Sequence, residues 1–119
     1  VMCDLNDLKG VNDAFGHDKG DEYIRAAADA IRDSFPRGQV FRIGGDEFAV
    51  ILSGVSPQEV EEGVQVLRCT MEEYSSRCSF DASVAAGTDF YDPVLDSDLE
   101  GTLNRADAGM YANKRKMKA

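Results

Sequence analysis

Two consecutive carboxylates, Asp46 and Glu47, follow a glycine pair in the middle of the chain. Apolar runs flank this Gly44-Gly45 pair, which predicts a β-hairpin because two glycines can take the positive φ values of a two-residue turn. The sheet holds the backbone of these carboxylates in place, which suits them to bind a hard cation. The glycines carry no side chain, so a phosphate can come close to the main chain there. A solvated acidic hairpin tip is the alternative, since acidic residues are common beside turns.

The spacing of apolar residues predicts the elements that hold this hairpin. In chain order they are a strand over residues 1–5, a helix over 21–35, the hairpin, a helix over 57–76, a strand over 80–87 and a helix over 98–118. Capping boxes, Ser56-Pro57-Gln58-Glu59 and Ser97-Asp98-Leu99-Glu100, mark the starts of the last two helices. Pro36 and Gly38 end the first helix.

This element order predicts an α+β fold, in which a ferredoxin-like βαββαβ core with a central antiparallel sheet carries one more helix at the C-terminus. In such a core the end of the first strand lies beside the central hairpin. We therefore expect Asp4 to approach Asp46 and Glu47, although they are distant in sequence.

Composition narrows the class of protein. A chain of 119 residues is one domain. Its formal charge of −9 argues against a nucleic-acid surface, but a bound cation could still let it hold a nucleotide. Cys3, Cys69 and Cys78 have no metal-binding spacing and are typical of reduced thiols in a cytosolic domain. No apolar run approaches membrane-spanning length and no signal peptide precedes the first strand, so we expect no membrane contact by this domain.

Four segments, in order and across nearly the whole chain, resemble the motifs of the GGDEF domains, the diguanylate cyclases that join two GTP molecules into cyclic di-GMP. The first holds Asp4, Lys9, Asn12-Asp13, Gly16-His17 and Gly20-Asp21, and the others are Gly44-Gly45-Asp46-Glu47-Phe48, Ser83-Val84-Ala85-Ala86-Gly87 and Ala106-Asp107-Ala108-Gly109-Met110-Tyr111. The resemblance implies a fold like that of nucleotidyl cyclases and polymerase palms. It also implies a reaction in which a 3′-hydroxyl of GTP attacks an α-phosphate and releases pyrophosphate, with Mg²⁺ or Mn²⁺ as the cofactor.

The same resemblance implies a role for individual residues. The metal ligands would be Asp4, the Leu5 carbonyl, Asp46 and Glu47, and Glu47 is either a ligand or the base for the hydroxyl. Asn12 and Asp21 would read guanine, Lys9 would stabilise the transition state, and Leu8, Lys114 and Lys118 would lie against the substrate. Several of these residues have a plainer reading: Asp21 is a helix N-cap, Asn12-Asp13 is turn chemistry, Lys9 is solvated, and the terminal lysines complement a helix C-terminus. For His17 a packing or loop-bracing role is favoured.

The chain also departs from the family pattern. Asn6 stands where Asp is frequent, Leu8 where Phe is frequent, and Lys118 where Arg is frequent. We expect activity to survive the Asn6 change. No Arg-x-x-Asp pair precedes the glycines, so we expect no product inhibition through that site. The family's N-terminal helical segment is not present in residues 1–119.

Two functions remain open at this point. The first is a cytoplasmic, homodimeric cyclase domain with an upstream sensory or receiver domain. The second is a catalytically degenerate module that binds GTP and regulates a neighbouring domain. The intact Asp46 and Glu47 favour the enzyme.

Overall fold

The computed structural model describes residues 1–96 and 98–118, which form four strands and four helices. In chain order these are β1 (Met2–Leu5), α1 (Leu8–Phe15), α2 (His17–Ser34), β2 (Gln39–Arg42), β3 (Glu47–Ile51), α3 (Pro57–Ser76), β4 (Val84–Gly87) and α4 (Leu99–Lys118). The strands form one sheet in the order β2-β3-β1-β4, and each neighbouring pair is antiparallel. The predicted α+β architecture with a central antiparallel sheet is therefore confirmed. Among the described residues, no helix is long and apolar enough to cross a membrane.

The two faces of the sheet bury different residues, because successive side chains of a strand point to opposite sides. Cys3, Leu5, Phe48 and Val50 join a large core with helices α1, α2 and α3. Met2, Ala49 and Ala85 instead pack against Ala106 and Met110 of α4 in a smaller core. By the same alternation, Asp4 and Glu47 lie on the face that α4 covers.

The first helical region differs from the sequence prediction. Gly16, with a φ of +89°, separates α1 from α2, and α2 begins at His17 rather than at residue 21. A side chain is strained at such a φ, so this position favours glycine. The N-cap reading of Asp21 is therefore wrong, because Asp21 lies inside α2. Asn12 and Asp13 lie on α1 and not in a turn, and Lys9 lies on the same helix.

The connection between β2 and β3 also differs from the predicted two-residue turn. The last residue pair is Arg42 with Phe48, and neither Gly44 nor Gly45 has a positive φ. The Arg42 guanidinium donates to the Gly44 carbonyl at 3.1 Å and to the Gly45 carbonyl at 2.9 Å. A longer loop that the Arg42 side chain closes therefore replaces the tight turn.

The remaining elements follow the predictions closely. The Ser56 hydroxyl accepts the Glu59 N–H at 3.1 Å at the start of α3, as the capping box predicts. Strand β4 is shorter than predicted and begins at Val84. Just before it, the Ser83 N–H donates to the Tyr23 hydroxyl, while the Ser83 carbonyl accepts the Asn6 N–H at 3.0 Å and lies 2.6 Å from the Tyr23 hydroxyl. The second predicted capping box begins at Ser97, which lies outside the described residues.

Candidate functional site

Three carboxylates meet where β1 ends and β3 begins. Asp4 is paired with Glu47 in the β1–β3 register, and the Leu5 N–H donates to the Asp46 carbonyl at 2.9 Å beside them. Carboxylate oxygens of Asp4, Asp46 and Glu47 all lie within 4.8 Å of one another. The sheet thus brings together the three side chains that the sequence predicts to meet.

Helix α4 brings two polar side chains to this cluster from above the sheet. The Lys114 ammonium donates to Asp4 Oδ1 at 2.8 Å, and both side chains are largely buried. The Tyr111 hydroxyl donates to Glu47 Oε1 at 3.3 Å. Lys114 was predicted to face a triphosphate, whereas the contact of Tyr111 was not predicted. Its hydroxyl and its helical spacing of three residues from Lys114 were the available signals.

Burial and neighbouring charges shift the pKa values of Asp4 and Tyr111. Burial raises the pKa of Asp4 above its ordinary value; the hydrogen bond from Lys114 opposes this rise, and the negative charge of Asp46 adds to it. The negative charge of Glu47, followed by that of Asp107, raises the pKa of Tyr111. A negative potential therefore extends over the cluster, and the Lys114 ammonium is in contact with it.

This cluster fits a divalent cation. Mg²⁺ binds carboxylate oxygens at about 2.1 Å, so two ligands on opposite sides of one ion are about 4 Å apart. Neighbouring ligands of an octahedral ion are about 3 Å apart. Three oxygens within 4.8 Å of one another therefore need to close by up to about 2 Å to share one ion. Like charges this close repel unless a cation neutralises them, and Lys114 neutralises one of the three.

The glycine loop leaves open space beside the carboxylates. A Cβ added at Gly45 would meet no atom within 4 Å, and one at Gly44 would lie 3.9 Å from the Glu47 Cβ. Internal packing therefore does not require glycine at either position. The bare backbone instead lets another molecule approach the main chain next to Asp46.

The two predicted guanine-reading residues come from different helices that touch. A Cβ at Gly20 would lie 1.7 Å from Asn12 Oδ1, so the Asn12 side chain rests on the backbone next to Asp21. Asp21 is exposed on α2. The structure thus places Asn12 beside the residue that precedes Asp21.

The other predicted residues occupy varied environments. Lys9 is exposed on α1, whereas Leu8 is buried in the large core at 9% exposure. Leu5 is fully buried in β1, and its N–H belongs to the ladder with Asp46. Lys118 is the last residue of α4, and its side chain lies outside the described part of the chain. His17 is exposed at the start of α2.

A buried hydroxyl network supports the strand end that carries Asp4. The Tyr23 hydroxyl lies 2.9 Å from the Asn6 carbonyl and 2.6 Å from the Ser83 carbonyl, and it accepts the Ser83 N–H at 3.0 Å. Burial raises the pKa of Tyr23 to about 12, so the phenol stays protonated at neutral pH. The Asn6 side chain also donates to Ser83 Oγ at 2.8 Å. An Asn at position 6 thus braces the end of β1.

Comparison with protein families gives one match over the full chain. A family model described as "Diguanylate cyclase, GGDEF domain" matches residues 1–119. Among curated proteins, the chain is similar to the diguanylate cyclase DosC of Escherichia coli, with 28% identity over 119 residues, 98% of this chain and 26% of DosC. It is also similar to the probable diguanylate cyclase DgcI of the same organism, with 41% identity over 61 residues, 50% of this chain and 14% of DgcI. The chain spans about a quarter of the length of DosC.

Solved structures show the same fold. The GGDEF domain of YfiN, also called TpbB, from Pseudomonas aeruginosa has a TM-score of 0.82 and 29% identity, covering 97% of this chain and 74% of that one. The GGDEF domain of DgcB from Caulobacter crescentus, solved in complex with c-di-GMP, has a TM-score of 0.79 and 30% identity, covering 97% of this chain and 70% of that one.

Proposed function

Because the chain belongs to the GGDEF family of diguanylate cyclase domains, we propose that it is the catalytic domain of an active cyclase that condenses two GTP molecules into cyclic di-GMP. The observation that carries this proposal is the meeting of Asp4, Asp46 and Glu47 at one sheet end. A degenerate regulatory module would have no need to keep all three carboxylates together. The names of DosC and DgcI support the same activity.

The reaction forms one phosphodiester bond at each of two α-phosphates. The 3′-hydroxyl oxygen of one GTP attacks the α-phosphate of the other, the hydroxyl proton leaves, and the bond to the β-phosphate breaks to release pyrophosphate. When bound, Mg²⁺ or Mn²⁺ would lower the pKa of the hydroxyl and neutralise charge on the pyrophosphate. Asp4, Asp46, Glu47 and the Leu5 carbonyl would hold the ions.

The chain's own side chains would supply the remaining work. Glu47, if it is not a metal ligand, accepts the hydroxyl proton. Lys114 is held against Asp4 at 2.8 Å and would also face the triphosphate, where its charge opposes that of the phosphates. Lys9 is exposed on α1, with its ammonium free to contact a phosphate oxygen. Lys118 would add a second positive charge at the end of α4, and Leu8 would support the nucleotide from the core.

Guanine recognition would fall to Asn12 and Asp21. An Asp carboxylate accepts from the N1–H and the N2 amine of guanine together, whereas adenine offers no such pair of donors. The close contact of Asn12 with the backbone at Gly20 supports a shared site for the two side chains.

Turnover would need two domains. Each domain would bind one GTP, and the two sites would face each other so that each hydroxyl attacks the other α-phosphate. We therefore propose a homodimer in the cytoplasm, controlled by an upstream sensory or receiver domain.

The first test is product formation by the purified protein. At high protein concentration with GTP and Mg²⁺, we expect cyclic di-GMP by chromatography, and a loss of at least about 100-fold in Asp46→Ala and Glu47→Ala, since each removes a charged group from the reacting centre. Glu61→Ala, an exposed carboxylate of α3, is the matched control and should retain activity.

The opposite result would identify a regulatory module. If the unchanged protein binds GTP but makes no cyclic di-GMP, the cyclase proposal fails and the degenerate module is the better description. If Asp46→Ala and Glu47→Ala both keep full activity, the assigned site is wrong.

A further inference from the structure

The hydroxyl of Tyr111 points at the acidic cluster from outside the sheet. Its oxygen lies 3.3 Å from Glu47 Oε1, and Tyr111 is 42% exposed. A phenol is protonated at neutral pH and donates, while an ionised carboxylate only accepts. Tyr111 belongs to neither of the two buried cores. The hydroxyl contact is therefore its most specific feature.

The geometry of α4 pairs each strand carboxylate with its own donor. Tyr111 and Lys114 are three residues apart on one helix face, which separates their backbones by about 4.5 Å along the axis. Their acceptors, Glu47 and Asp4, are directly opposed across antiparallel strands, where Cα atoms are about 4.5–5.5 Å apart. Helix α4 runs alongside β1, since Met110 packs with Met2 and Met117 contacts Asn6. Both donors therefore reach the sheet end where Asp4 is paired with Glu47.

We propose that Tyr111 is a positioning residue, whose hydroxyl holds the Glu47 carboxylate in the orientation that metal binding and turnover need. This inference rests on the proposed function, in which Glu47 is a metal ligand or the base. Groups that hydrogen-bond to a ligand fix its direction, and their loss typically weakens metal binding about 10- to 100-fold. Lys114 serves Asp4 directly, so Tyr111 completes a matching pair of contacts along α4.

The test compares Tyr111→Phe with Tyr91→Phe. Both changes remove one hydroxyl from an exposed tyrosine, and the Tyr91 hydroxyl contacts the Asp96 carbonyl, not the cluster. Mn²⁺ binding is titrated by electron paramagnetic resonance without nucleotide, and kcat and KM are measured with GTP. For Tyr111→Phe we expect about tenfold weaker Mn²⁺ binding and a kcat lower by about three- to tenfold. The KM for GTP and the melting temperature should not change.

A double variant makes the assignment specific to Glu47. If Tyr111 acts through Glu47, adding Tyr111→Phe to Glu47→Gln should not weaken Mn²⁺ binding further. Unchanged Mn²⁺ affinity and kcat in Tyr111→Phe, or fully additive effects in the double variant, would overturn the inference. The Mn²⁺ titration keeps its meaning even if the unchanged protein makes no cyclic di-GMP, a result that would count against the proposed function instead.

Discussion

Asn12 and Asp21 show how a single glycine brings two polar side chains to one place. The Asn12 side chain occupies the position that any Cβ at residue 20 would need. A larger residue in place of Gly20 would therefore displace the Asn12 side chain from its position beside Asp21. The guanine-reading hypothesis therefore depends on a packing detail as well as on the chemistry of the two residues.

At Asp21 we expect a loss of base selectivity. Asp21→Asn replaces one acceptor oxygen by a donor amide, which cannot accept from guanine. The kcat/KM for GTP should fall by about 10- to 100-fold, the worth of a hydrogen bond to a charged group, and the preference for GTP over ATP should shrink. Steady-state rates with both nucleotides measure this. Asp18→Asn, at another exposed carboxylate of α2, is the control. Equal rates in the two variants would contradict the assignment.

Helix α4 lies unusually close to the sheet because β4 ends in glycine. A Cβ at Gly87 would lie 2.1 Å from the Ala106 carbonyl oxygen and 2.2 Å from the Met110 nitrogen. Both atoms belong to the helix backbone, so no side chain can rotate to make room. The position of α4 against the sheet therefore determines where Tyr111 and Lys114 contact the carboxylates.

Enlarging Gly87 should therefore affect both stability and activity. For Gly87→Ala we expect the free energy of unfolding in denaturant titrations to fall by about 1–3 kcal/mol, as for other overpacked sites. Cyclic di-GMP formation should fall at temperatures where the variant is still folded, because α4 moves away from Asp4 and Glu47.

Gly109 is the matched control, since it contributes the other side of the same contact. A Cβ there would lie an ordinary 3.7 Å from the Gly87 Cα, and alanine is favoured inside a helix by up to about 1 kcal/mol. Gly109→Ala should leave stability unchanged or raise it. If Gly87→Ala were as stable as the unchanged protein, the claim that the close packing of α4 requires glycine at this position would be wrong.

At the scale of the whole molecule, charge opposes the association that turnover would need. The formal charge is −9, so two copies repel each other at long range. Within the described residues, each copy would also bring its cluster of three carboxylates to the dimer. A dimer of this domain alone should therefore be weak.

We expect dilution to reveal this weakness. The rate of cyclic di-GMP formation per domain should fall in proportion to protein concentration below the dimer dissociation constant. Raising the ionic strength to about 0.15 M shortens the Debye length to about 8 Å, so it should restore part of the rate. Initial rates over a wide dilution series, with light scattering for mass, test both points. A constant rate per domain from a monomeric species would contradict the dimer proposal.

The sequence by itself determined the side chains available for chemistry and the order of all the elements except α1. Alternation along β1 and β3 places Asp4 and Glu47 on one side of the sheet, and the predicted fold makes their strands neighbours. Periodicity is a local property of the chain, so it could be read without coordinates. The capping box at Ser56, another local pattern, identified the start of α3 correctly.

Only the tertiary structure decided features that depend on contacts between distant residues. Helix α1 contains Gly10, Asn12 and Asp13, which are weak helix formers, yet it packs against α2 with Asn12 at Gly20. The turn at Gly44-Gly45 was predicted from backbone freedom, but Arg42 and the strand register shape the loop instead. The contact of Tyr111 with Glu47 joins residues that no local pattern relates, because the packing of α4 on the sheet brings them together.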